Sequence, residues 1–209
     1  DDQLLPNMAN LTLTALRNAT LPPPVAALSG IEVINQAGKA IATRLPPTLP
    51  KGAHFFLEEI DPDESFLSKQ TLVVERALLL SLGGYDESFR SREHTELFLR
   101  LNPVCSLMGL AAVTYRLIGH EGERLSRSPA LRQVDFDRLI AKHRPLFEAH
   151  PKQFAKFVYD HAQTSARLGQ KKSAYKALAW AYKIHPLYSS WLTLRSLKWQ
   201  LSERFVPTR

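Results

Sequence analysis

A switch in periodicity near residue 128 divides this chain, and it decides what the chain can become. Upstream, short apolar runs alternate with turn signals. From about 131 to 205, apolar residues recur at helical spacing, broken at "HP" (150–151), "LGQ" (168–170) and "HP" (185–186). Charge divides at nearly the same place. Residues 1–125 carry 11 Lys and Arg against 15 Asp and Glu, a net of −4; residues 126–209 carry 16 against 5, a net of +11. Two functional units are expected, 1–128 and 129–209. The first is read as α/β, a mixed sheet with flanking helices, and the second as an all-α basic extension. The acidic part suits metal binding or acid–base chemistry; the basic part suits an anionic partner.

Along the first unit, residues 3–20 read as a short helix ended by "LPPP". Two β-prone runs around Asn35-Gln36-Ala37-Gly38 predict a hairpin. Residues 45–68, rich in Pro and acids, read as a long loop, and "SKQTLVVER" (68–76) as a strand. "ALLLSLGGY" predicts a helix closed by glycine. Residues 92–101 predict another, with Ser91 as its N-cap, first-turn carboxylates favouring the helix dipole, and Glu96–Arg100 as an i, i+4 pair. The apolar run 104–117 reads as a buried strand. In the second unit, residues 157–186 read as a helix, a Gly turn and a second helix. Ala174, Ala177, Leu178 and Ala181 at helical spacing allow close approach, so the segment resembles one tetratricopeptide-type hairpin.

One cysteine, Cys105, excludes an intrachain disulfide and a cysteine-rich metal cluster, and a reducing compartment fits. No apolar run approaches the roughly 20 residues of a membrane span, and no secretory signal opens the chain. The opening "DDQLLP" reads as the interior of a domain.

The acidic unit carries motifs in a particular order. An acidic pair, Asp1-Asp2, comes first. A Gly-containing hairpin and "VVER" follow, then "GGYDESF", a Glu-led helix ending in "LRL", and "YR" with His and Ser shortly after. This order resembles the second half of the GT-A-fold, inverting glycosyltransferases of family 2, over residues 1 to about 128. The resemblance implies a partial GT-A-type mixed sheet. It implies sugar transfer from a nucleotide-sugar donor to a hydroxyl on a polysaccharide, lipid-linked or protein glycan acceptor, in a bacterial polysaccharide-biosynthesis setting.

By that resemblance Asp1 or Asp2 would bind Mg²⁺ or Mn²⁺, the hard cation that neutralises a departing diphosphate. Gly83, Gly84, Asp86 and Glu87 match the loop that shapes the acceptor side of the cleft; read locally, they are a helix C-cap and a turn. Glu93 matches the first acid of the family's "ED" pair. His94 stands where the family has Asp, its general base, so either Glu93 or His94 would take the acceptor proton. His120 matches a His that reaches the metal or diphosphate, although "YRLIGH" is longer than the family's spacing. Arg116, Arg124 and Ser126 would help hold phosphate. The βα units that bind the nucleotide in that family would lie before Asp1, outside this sequence, and no Gly-rich phosphate loop occurs in the chain. The chain alone is therefore expected to turn over sugar nucleotides weakly or not at all.

The tail adds partners. Trp180, Trp191 and Trp199 lie among Lys183, Arg195, Lys198 and Arg204, a combination that suits a bilayer interface; packing of helix on helix would use the same Trp residues. Localisation is read as cytoplasmic or peripheral at the inner face of the cytoplasmic membrane. A rival reading is a non-catalytic helical protein-interaction module on a degenerate glycosyltransferase scaffold. Nucleic acid is not expected: the basic half lacks a zinc-finger pattern and an aromatic stacking platform.

Overall fold

The structure is a computed structural model that describes residues 2–54, 56–58, 60–61, 63–119 and 128–204, without the side chains of Pro129 and of 198–204. It is mixed α/β followed by helices, in two compact units, Asp1–Ser126 and Arg127–Arg209.

In the first unit four strands form one sheet, β1 (Gln3–Leu4), β2 (Val25–Ile34), β3 (Ala40–Arg44) and β4 (Ser106–Ile118), in the order β1-β4-β2-β3. The central strands β2 and β4 are parallel, with Val25 opposite Ser106 and Ile34 opposite Ile118. β3 returns antiparallel from the turn that ends in Gly38, whose φ of 75° suits glycine. The segment read as one helix over 3–20 is a strand followed by α1 (Met8–Arg17): Gln3 and Leu4 pair with Arg116 and Tyr115 before the helix starts.

The strand expected at 68–76 does not form. Phe66–Thr71 is a 3₁₀ turn, capped where the Ser65 hydroxyl accepts from the Leu67 amide. The Thr71 hydroxyl donates to the Ser29 carbonyl and accepts from the Ser29 amide, so it stands in for a strand neighbour beside β2. Val73 makes only an isolated bridge to Ala27. Ala26, Leu28, Phe66, Phe98, Leu101 and Leu107 close the core beneath this segment.

In the second unit the helices are α4 (Pro129–Lys142), α5 (Arg144–Ala149), α6 (Pro151–Arg167), α7 (Lys171–Ile184) and α8 (Pro186–Arg204). Both His-Pro breaks are helix starts, because proline at the first position loses no hydrogen bond. Gly169, at φ 75°, closes α6: its amide donates to Ala166 and the Gln170 amide to Ser165, a Schellman ending. Ala177 and Ala181 of α7 are buried, and Phe136, Phe147, Phe154, Val158 and Leu192 fill the interior. Among the described residues no helix is long and apolar enough to cross a membrane.

Candidate functional site

Two further helices of the first unit carry the predicted chemistry, α2 (Arg76–Ser81) and α3 (Glu93–Leu101). α2 ends on the double glycine. Gly83 and Gly84 lie at φ 84° and 66°, and their amides donate to Leu80 and Leu79. The glycines thus make a Schellman ending, and the turn after them is closed by Asp86, whose carboxylate accepts from the Ser88 amide. Arg100 fastens this turn to α3. Its guanidinium donates to both oxygens of Glu96, at 2.9 and 2.5 Å, and to the carbonyls of Leu82 and Gly84. Glu96 is fully buried in this pair. The second acid of the helix is therefore structural, and Glu87 is exposed.

What remains open at the start of α3 is Glu93 and His94. His94 Nδ1 lies 2.9 Å from Glu93 Oε1, with the side chains 31% and 40% exposed. Neighbours in sequence normally diverge on a helix; here the first turn has no preceding turn to hold them apart. The hydrogen bond from His94 keeps the Glu93 carboxyl below the usual carboxylate range, against partial desolvation pushing the other way. The Tyr85 ring meets His94 edge-on at 5.4 Å. Burial, then the Glu93 charge, pushes its phenol up.

Ser91 is not the helix cap. Arg92 holds that position at φ 65°, with no side-chain capping bond. A left-handed non-glycine residue is a strained one, and such residues cluster at functional sites. Close by, Lys69 Nζ lies 5.6 Å from the ring centroids of both Phe66 and Phe98. Burial, with the Arg92 charge adding, lowers its pKa to about 8. Tyr85, Arg92, Lys69 and Arg100 were not singled out as site residues in the sequence. A non-glycine residue before a Glu-led helix carries no signal of left-handedness, and the Lys69–Phe98 approach is non-local.

Asp2 is placed beside β4, its oxygens accepting from the Tyr115 hydroxyl at 2.7 Å and the Ile118 amide at 3.0 Å. Arg116 pairs with Glu32 at 3.0 Å. Asp1, His120, Arg124 and Ser126 lie outside the described residues. Among the described residues no three His, Cys, Asp or Glu side chains assemble a group able to hold a metal. Of the residues that the resemblance places at a cation, Asp2 is the one described, and a hard cation would take further oxygens beside it. In the second unit a cleft of about 330 Å³ is lined by Gln133, Asp137, Ser173, Lys176 and Trp180 among others. None of the predicted site residues lies in it.

No family model matches the chain, and no curated protein or solved structure is significantly similar to it.

Proposed function

We propose that the first unit is the acceptor side of an inverting glycosyltransferase, in which His94 is the general base and Glu93 positions it. The observation that carries this reading is the Glu93–His94 pair, set beside Tyr85 at the start of a helix that Arg100 fastens to the double-glycine turn. With the proton on Nδ1 given to Glu93, Nε2 of His94 keeps its lone pair for an acceptor hydroxyl. The hydroxyl oxygen attacks the anomeric carbon and its proton passes to Nε2. The bond from that carbon to the diphosphate oxygen breaks, and the nucleoside diphosphate leaves with the electron pair. Glu93 stabilises the imidazolium that results, the role a carboxylate plays beside a basic histidine. The substitution of His for an acid thus preserves a base.

The test is nucleoside diphosphate release from a panel of nucleotide sugars and glycan acceptors, using the protein that carries this chain. His94→Asn should lower kcat by about 10²–10⁴-fold, the span of general base catalysis, and Glu93→Gln should lower it less. Wild-type turnover by His94→Asn would remove the histidine from the chemistry. Absence of turnover with every donor and acceptor would count against the whole reading.

A further inference from the structure

Helix α8 is apolar on more sides than a helix packed only within its own unit needs. Its inward face places Leu192 in the interior and is otherwise small and polar. The Ser189 hydroxyl donates to the Ala181 carbonyl, Thr193 bonds the Tyr182 hydroxyl at 3.0 Å, and Ser196 bonds the Tyr159 hydroxyl at 3.2 Å. Its outward face is large and apolar: Leu187, Trp191, Leu194 and Leu197 are 81%, 48%, 66% and 49% exposed. They recur at i, i+4, i+7 and i+10, one continuous stripe. A single exposed leucine needs no explanation, but a stripe of four large apolar side chains does.

The charge around the stripe says what covers it. From His161 to Ser202 the sequence holds seven Lys and Arg and no Asp or Glu. Arg195 lies 5.2 Å from the Trp191 ring, Tyr188 stacks on Trp191 at 5.5 Å, and Lys152 Nζ stands 5.0 Å over Tyr188. Cations therefore border an aromatic pair at the edge of the apolar stripe. Trp180 takes no part, since it packs edge-on against Phe136 and Phe154.

We propose that the outward stripe of α8 docks this unit on an anionic lipid surface. Leucine side chains enter the acyl boundary, Trp191 sits at headgroup level, and the flanking Lys and Arg meet anionic headgroups. A second copy of the chain would bring the same predominantly cationic surface against itself. A nucleic acid would use the cations and leave the leucines wet. The inference is independent of the glycosyltransferase reading.

Co-flotation with phosphatidylcholine vesicles, with and without phosphatidylserine and at low and high salt, tests it. The protein should float with the phosphatidylserine vesicles and partly release at high salt. The double variant Trp191→Ala/Leu194→Ala should partition about tenfold less or weaker still, the effect of withdrawing one fully buried large apolar side chain, with its circular dichroism unchanged. Arg195→Glu should weaken binding to the anionic vesicles alone. Three results would overturn the proposal: no flotation with either vesicle, equal flotation with both, or a dimer without lipid binding that Leu194→Glu dissociates. The last would assign the stripe to a second copy.

Discussion

Arg100 holds the Gly83–Gly84 turn by serving four acceptors from one planar fork: two oxygens of Glu96 and the carbonyls of Leu82 and Gly84. Lysine cannot reproduce that geometry. Arg100→Met would take the bidentate guanidinium from the buried Glu96 carboxylate and the donors from two carbonyls, so it should cost about 3 kcal/mol in a urea denaturation series, and Arg100→Lys only part of it. A loss below about 0.5 kcal/mol, the level of an ordinary surface substitution, would show that the turn and the Glu96 carboxylate are held without Arg100. Lys69 acts in the opposite sense. Its folded pKa is lowered to about 8 from the ordinary 10.5. Between those values the unfolded chain binds more protons than the folded one, so Lys69 makes stability rise with pH over that window. Lys69→Met should flatten the rise. An unchanged slope in denaturation curves across the window would assign the pH dependence to another group.

At the level of elements, β4 is shaped by what passes over it. A Cβ on Gly109 would meet the Pro46 carbonyl oxygen at 2.2 Å and the Pro47 carbonyl carbon at 2.8 Å. Both are backbone atoms, and neither can turn aside as a side chain would. Gly109→Ala should therefore destabilise the first unit by about 1–3 kcal/mol, the usual cost of overpacking, measured by thermal or urea unfolding; a neutral result would mean that the 46–47 segment moves freely. That requirement was invisible in the sequence, because it depends on a segment some sixty residues away along the chain. The 3₁₀ turn at Phe66–Thr71 was hidden for the same reason. "TLVV" has strand propensity, yet the Thr71 hydroxyl already occupies the amide and carbonyl of Ser29. Features written in local chemistry were readable: the Asn35–Gly38 turn, the helix breaks at His150-Pro151 and His185-Pro186, and the glycine endings at Gly83 and Gly169. The site divides likewise. Glu93 and His94 stand out by residue type at a helix start. The left-handed Arg92 before them does not, since nothing local demands it.

At the scale of the molecule, each unit closes its own interior. In the second, Phe136 is 1% exposed, stacked on His161 at 3.7 Å, parallel to Phe157 at 5.5 Å and edge-on to Trp180 at 6.2 Å. It therefore joins α4, α6 and α7 through one side chain. Its buried polar neighbour is paired within the same unit: His161 Nε2 donates to Gln133 Oε1, and the Gln133 amide donates to both oxygens of the exposed Asp137. Such self-sufficiency predicts that residues 127–209 fold when excised. The fragment should show a helical circular dichroism spectrum and a cooperative thermal transition. Phe136→Ala should then remove about 3–5 kcal/mol, the cost of emptying a fully buried aromatic site. That is a large share of the roughly 4–12 kcal/mol that a unit of this size holds, so the variant fragment should melt far below the wild-type fragment or lose its cooperative transition. If the wild-type fragment melts without cooperativity, the helices draw their order from residues 1–126, and the aromatic cluster is not an independent core.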